Sequence, residues 1–453
     1  MMRDPGRSAR WWALVLAVLA VAVWSTAEAA PAVKPRAIMI VPFDASALPP
    51  EERWVGEGVE EIIALGLAQH PAFVQLDRSR LRSIGRVEAW GEPVVVQAAR
   101  TLQIDAALFG RVERKGGDYL VQPRLLELKG ASSEPISLEP LTVAEGELLT
   151  RLASLPIVYA RTLKVALTEA DVRRIEKASQ PTRSLKAFEL FARAGMALAQ
   201  KPGQEGNEQA VDLLARAIEA DPNFVVAQYT LGTVHQQLGN RWKAAAQFRA
   251  STQLDPQYPE PYKALGDLFL AAPRRLFDQA VEAYNKAIEL RPFFGEAHVG
   301  LGDAKAAKGD VDGAISAYTR ALAFNPINPR VHMSLGKIYY AEKGLYYESV
   351  NAYKKAIDLD PASVEARMGL GEVYEDKGLY KEAMEEYRRV IELDAKHTGA
   401  MYNLALVYEK LDPKEAIVHW ERYIALASQL PSEKDWVDVA RQHLKKLKSQ
   451  VKD

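Results

Sequence analysis

Cysteine is absent from all 453 residues. That removes disulfide frameworks, thiolate zinc sites, cysteine nucleophiles and a lipidated N-terminal cysteine in one step. An excess of either charge is also missing: Lys plus Arg is 58 and Asp plus Glu is 59. Nucleic-acid binders carry a basic surplus, so that class of partner is not expected. Past residue 30 no run of apolar residues is long enough to cross a bilayer. Nor are there catalytic signatures: no H-E-x-x-H, no P-loop and no G-x-S-x-G elbow occurs. No cofactor and no metal are therefore expected.

The first thirty residues carry a targeting pattern. Arg3, Arg7 and Arg10 precede an uncharged apolar stretch from Trp11 to Trp24, and Ala27-Glu28-Ala29 offers a small-x-small cleavage site. These are the three parts of a secretory signal, assigned to residues 1–29. The mature protein is expected to be periplasmic or secreted, or anchored in the inner membrane if the signal stays uncleaved.

The C-terminal half repeats itself. Pro222, Pro256, Pro292, Pro326 and Pro361 recur at intervals of 34 to 36 residues, and a Leu-Gly pair ends ten residues after each: Gly232, Gly266, Gly302, Gly336 and Gly371. A seventh unit keeps Leu404 but has Ala405 in the glycine position. Each second half repeats a small residue, an aromatic four later and a small residue three further on, as in Ala280, Tyr284 and Ala287 or Ala314, Tyr318 and Ala321. That spacing is one face of a helix. A glycine in mid-helix costs about 1 kcal/mol relative to alanine, so its recurrence implies close helix packing against the aromatic. These motifs resemble the tetratricopeptide repeat (TPR) family. Seven units are read over 184–431, with a capping helix in 432–453 that places Trp436, Ala440, Leu444 and Leu447 on its apolar face. The first unit is divergent: Gly195 sits early, and Lys201 to Gly206 reads as a lengthened turn.

The resemblance implies an all-α superhelical solenoid that binds proteins or peptides on its concave face. It places groove residues three before and one after each repeated glycine: Tyr229, Thr233, Lys263, Asp267, Val299, Asp303, Met333, Lys337, Met368, Glu372 and Tyr402, with Leu406 closing the second series. The lysine and asparagine clamp that some members use for a terminal carboxylate is not reproduced, because Lys263 is followed one turn on by Asp267. His298 and His332 share a position in adjacent units and read as packing residues. Gly300-Leu301-Gly302 and Gly369-Leu370-Gly371 imitate part of a nucleotide loop, but they fall inside repeat helices and read as packing as well.

Residues 36–167 follow another grammar. Strands are expected at Ala37–Phe43 and Phe73–Leu76, helices at Gly56–Leu67, Arg78–Ile84 and Pro93–Leu102, a hairpin over Ala106–Leu128 turning at Gly116-Gly117-Asp118, and a last helix from Val143 to Leu167. This α/β layer is similar to the TolB amino-terminal-like domain and has a layout related to the curli-secretion family, which implies a protein-contact role without a catalytic set. Arg78, Arg80, Arg82 and Arg86 form the densest basic cluster, read as a solvated helix face. Residues 168–183 have linker composition. The fold class is thus an α/β N-terminal domain followed by an all-α solenoid. The leading functional reading is an exported protein-binding scaffold in envelope assembly or secretion, with a second protein contact on the N-terminal domain. A subunit of a curli-like secretion complex, or an enzyme with its site in 36–167, are the alternatives.

Overall fold

The computed structural model describes residues 34–76, 81, 90–128 and 134–451. The signal-like leader, the Arg78–Ile84 helix apart from Leu81, and the arginine cluster lie outside the described residues.

The N-terminal part is built on a six-stranded sheet. Strand β1 (Arg36–Ile40) is followed by helix α1 (Trp54–Leu67), β2 (Phe73–Gln75), α2 (Glu92–Thr101), β3 (Ala106–Lys115) and β4 (Asp118–Glu127). The order is β2-β1-β3-β4-β5, with β1 parallel to both neighbours and β3–β4 antiparallel. Gly116, with φ +67°, opens the two-residue hairpin turn that pairs Lys115 with Asp118. From Ala37 onward β1 is an unbroken apolar run because both its faces are buried. Ile38 and Ile40 join α1 in one core, while Met39 and Val41 join α2 in another.

The expected last helix, Val143 to Leu167, is not continuous. Short strands β5 (Ile136–Ser137) and β6 (Leu141–Val143) add to β4, and the chain then forms α3 (Leu148–Leu152) and α4 (Leu155–Thr162). Pro156 stands in the first turn of α4, where its missing N–H costs nothing, and so marks a new helix rather than a continued one. Tyr159 of α4 is fully buried and donates its hydroxyl to the Phe109 carbonyl at 3.0 Å.

The segment 168–183, expected as a linker, carries helix α5 (Glu169–Ala178). A capping box between Thr168 and Asp171 starts it, Ile175 is fully buried, and the helix packs on α1.

The array follows as seven helix pairs: α6 (Leu185–Gln200) and α7 (Gln204–Ala220), α8 (Val225–Gln237) and α9 (Arg241–Leu254), α10 (Glu260–Leu270) and α11 (Phe277–Leu290), α12 (Gly295–Ala307) and α13 (Val311–Phe324), α14 (Pro329–Ala341) and α15 (Tyr346–Leu359), α16 (Val364–Asp376) and α17 (Tyr380–Leu393), α18 (Thr398–Leu411) and α19 (Pro413–Ala427). In the first pair α7 begins at Gln204, so the turn is confined to 201–203 rather than running to Gly206. Helix α20 (Lys434–Gln450) closes the stack through Val437, Ala440 and Leu447. Trp436, expected on its buried face, is 55% exposed.

The repeated glycines are the points of closest approach. A Cβ on Gly302 would lie 2.6 Å from the ring of Tyr318 in the same unit, and one on Gly266 would lie 2.7 Å from Tyr284. Gly300 and Gly369 face the tyrosine of the preceding unit, Tyr284 and Tyr353. Tyr284, between Gly266 and Gly300, and Tyr353, between Gly336 and Gly369, are thus each clasped by two first helices, which accounts for both Gly-Leu-Gly strings. Gly195 serves a different neighbour: its Cβ would lie 2.9 Å from Glu57 Oε1 on α1.

The sheet and the array share one core. Trp54, Phe188, Phe191 and Phe224 form a chain of ring contacts from α1 through α6 to the second pair. Further along, three successive inter-unit turns reach the N-terminal part: Asp255 to Lys177 at 3.8 Å, Arg291 to the Ala68 carbonyl at 3.4 Å, and Ile327 against the α2-side core.

Candidate functional site

The first helices of consecutive units touch one another, as α8 does α10, α10 does α12 and α14 does α16. The second helices stand further apart, so the first helices form the inner wall of the curve. Repeat spacing then decides which side chains face inward.

The positions expected to line this wall divide into three groups. Some are enclosed. Val299 is buried in the core around Tyr318, and Tyr402 sits among Trp420, Tyr423 and Trp436 with ring centroids 5.0 to 5.4 Å away. Tyr229 packs on Phe248 and Tyr258 at 5.8 and 5.7 Å, and its burial pushes its phenol well up. Thr233 turns back onto its own helix, donating to the Thr230 carbonyl at 2.7 Å.

A second group is committed to internal polar contacts. Asp267 accepts from Lys263 and from the Tyr284 hydroxyl, each at 2.8 Å. Asp303 accepts from the Tyr318 hydroxyl at 2.6 Å and pairs with Arg330. Burial first, and the adjacent carboxylate second, raise both tyrosines well above their ordinary pKa; for Tyr318 the hydrogen bond to Asp303 ranks second. These aspartates therefore hold Tyr284 and Tyr318 in place.

The third group is available. Met333 and Met368 are half-buried, while Lys337 and Glu372 are exposed. Although much of Glu372 is open to solvent, partial desolvation of its carboxylate against the wall, and then the neighbouring Glu375, raise its pKa, and Lys337 partly offsets that rise. Glu375 itself accepts from Tyr387 at 2.9 Å. Arg330, Glu375 and Trp436 were not legible as part of this wall. They come from other heptad-like offsets and from the capping helix, and only the packing reveals them.

His298 donates from Nε2 to the Pro292 carbonyl at 2.9 Å and stacks on Phe324, and His332 stands 3.4 Å from the Pro326 carbonyl. Both act as packing residues. Among the described residues no group of three metal-ligating side chains converges, and no helix is long and apolar enough to cross a membrane.

Models of the TPR repeat match residues 302–342 and 340–378, and tetratricopeptide repeat models match 364–397 and 399–429. The chain therefore contains tetratricopeptide repeats. Small glutamine-rich tetratricopeptide repeat-containing protein 2 of Mycosarcoma maydis is 29% identical over 105 residues, 21% of this chain. The match spans only 29% of that relative's length. Among solved structures, MamA is 27% identical with a TM-score of 0.34, over 37% of this chain and 95% of MamA. YrrB, described as a TPR protein with an unusual peptide-binding site, is 18% identical with a TM-score of 0.35, over 42% of this chain and 96% of its own.

Proposed function

We propose that this chain is a protein-binding scaffold whose repeat groove receives a peptide segment of a partner. The observation that carries this is the pair of half-buried methionines, Met333 and Met368, flanked by the exposed Lys337 and Glu372 on adjacent first helices. Methionine adapts its shape to varied apolar side chains, and the opposite charges beside it orient a peptide. The N-terminal sheet, whose strand and helix order is similar to the TolB amino-terminal-like domain, offers a second protein contact. The leader supports export, to the periplasm in a bacterial cell, with work in envelope assembly or secretion. No catalytic role is assigned.

The test is affinity capture from an envelope extract with the full mature chain, read by mass spectrometry. The variant Lys337→Glu with Glu372→Lys reverses both charges on exposed side chains and is expected to lose the partner that the wild type retains. Lys286→Ala with Lys354→Ala, on second helices, should retain it. Equal recovery by wild type and charge-reversed protein would remove the groove as the recognition surface. N-terminal sequencing of the exported protein should begin at Ala30; a chain that keeps Met1 and sediments with membranes would overturn the soluble, cleaved form.

A further inference from the structure

One position recurs at every join between a unit and the next. It is occupied by Asp221, Asp255, Asp360 and Asp394, and each of these carboxylates accepts the N–H two residues on. Between α11 and α12 the same position holds Arg291, whose side chain has no acceptor to make that turn. Its guanidinium is buried, stands 4.0 Å over the Phe294 ring, pairs with Glu260 at 2.7 Å and donates to the Ala68 carbonyl at the C-terminal end of α1 at 3.4 Å. A cation is favoured there, because the last carbonyls of a helix carry partial negative charge. On either side of Arg291, Asp255 reaches Lys177 of α5 and Ile327 reaches the α2-side core. Three successive joins are thus pinned to one body. Each unit of an array takes its tilt from its own neighbours, so these pins fix the summed curvature of the third to fifth units.

The seat of Arg291 depends on a neutral histidine. His70, two residues past Ala68, is 7% exposed. Its Nδ1 accepts from the Ala72 N–H at 3.2 Å, and the Ala72 carbonyl accepts from the Arg36 N–H at 2.8 Å, where β1 begins. A ring nitrogen that accepts carries no proton, so the one ring N–H is on Nε2. Nε2 faces Asp171 Oδ2 of α5 at 3.9 Å. Protonation puts a donor where the Ala72 donor already points, and that bond must break. The cation has a second seat, because a small turn of the ring brings Nε2 into an ion pair with Asp171.

The charged groups around the ring come from two elements. On α5, Asp171 favours the cation and Arg174 opposes it. From the array, Arg291 stands at Ala68 beside Glu260. On the sheet side the neighbour is the Phe73 ring, 6.0 Å away. Burial outweighs Asp171 and holds the imidazole below its ordinary value of 6.5.

We propose that His70 is a proton-operated latch between the N-terminal sheet and the array. Neutral, it holds the 68–72 turn on which Arg291 is seated. Protonated, it turns to Asp171, the turn loosens, and the third to fifth units leave the sheet, with the α6 seam as the hinge. Since the closed form lowers the histidine's pKa, closure is complete above pH 6.5 and is lost as pH falls below it.

The experiment is hydrogen exchange and small-angle X-ray scattering of the full mature chain at pH 7.5 and pH 5.5, with exchange corrected for its intrinsic pH dependence. Uptake of one proton by a group of ordinary value 6.5 limits the gain at pH 5.5 to about tenfold. Amides of the 68–72 turn and β2 should approach that gain, and the radius of gyration should rise. His70→Asn keeps an acceptor for the Ala72 N–H, as Asn does in an Asx turn, and cannot be protonated. It should stay closed at both pH values. Arg291→Asn restores to this join the residue type that Asn325 supplies in the next one. It should scatter as the open form already at pH 7.5, while its 68–72 turn still responds to pH. Equal acid response in wild type and His70→Asn, a His70→Asn chain already open at pH 7.5, or an Arg291→Asn chain that scatters as wild type does would each overturn the latch.

Discussion

Replacing Asp303 tests whether the inner wall is a recognition surface alone or also a structural one. Tyr318 is 2% exposed and its hydroxyl donates to Asp303 at 2.6 Å. Asp303→Ala removes that acceptor and leaves the hydroxyl with the Ser334 side chain as its remaining polar neighbour, at about 1–3 kcal/mol. The lost pair with Arg330, whose side chain is exposed, adds at most about 1 kcal/mol. Tyr318→Phe removes the donor instead; Asp303 is partly solvated and regains water, so that loss is about 1 kcal/mol. Once the hydroxyl is gone, Asp303→Ala no longer orphans it. The double variant should therefore cost less than the two singles together, by about 0.5–3 kcal/mol. Hydrogen exchange is the suitable assay, because stability in a repeat array is local and nearest-neighbour in character. Amides of α12 and α13 should exchange about five- to a hundredfold faster in Asp303→Ala, and amides of α18 and α19 should be unchanged. Strict additivity of the two substitutions would refute the claim that this hydrogen bond links them.

Gly302→Ala sets two effects against each other. Helix propensity favours alanine by about 1 kcal/mol, while the new Cβ, 2.6 Å from the Tyr318 ring, costs about 1–3 kcal/mol by overpacking. A lowered thermal midpoint is expected, and an unchanged or raised one would show that the crossing is loose; Gly117→Ala, with nothing within 4 Å of its Cβ, should be neutral. Acidification is a further test. Burial lowers the pKa of His298 and His332, so the unfolded chain binds more protons below the ordinary histidine value of 6.5. Stability is then complete above that value and falls as pH drops through it. The midpoint should fall from about pH 7.5 to about pH 5.5, and His298→Phe with His332→Phe should flatten the fall; an undiminished slope in the double variant would reassign it to other histidines.

What could be read from the sequence was whatever repeats or alternates. The Leu-Gly pairs and the aromatics of the second helices announced the array because the same packing problem recurs in every unit. The hairpin was legible from Gly116-Gly117 between two alternating strands. Burial was not legible where a residue plays two parts. Asp267 and Asp303 occupy groove positions by count, yet their carboxylates are spent on Tyr284 and Tyr318, a contact between helices that no single-helix period encodes. The same holds for Trp436: its spacing fits the apolar stripe of α20, but Tyr402 draws its ring to the edge of the stack.

The largest departure is the junction. Ser, Thr and Pro at 179–184 gave linker composition, but Ser179 is fully buried and Thr182 nearly so. The capping box Thr168-x-x-Asp171 was the available signal for a helix there, and it was outweighed by composition. The consequence is mechanical: α6 is at once the first helix of the array and a wall of the N-terminal core. Phe188 sits at that seam, fully buried, with Trp54 at 6.4 Å on one side and Phe191 at 6.1 Å on the other. Phe188→Ala should cost about 3–5 kcal/mol, and because the cavity opens on both sides the loss should be shared. Hydrogen exchange in this variant should rise in α1 and β1 as well as in α6 to α8. Two domains tethered by a flexible segment would instead confine the loss to the array, and that outcome would refute a common core.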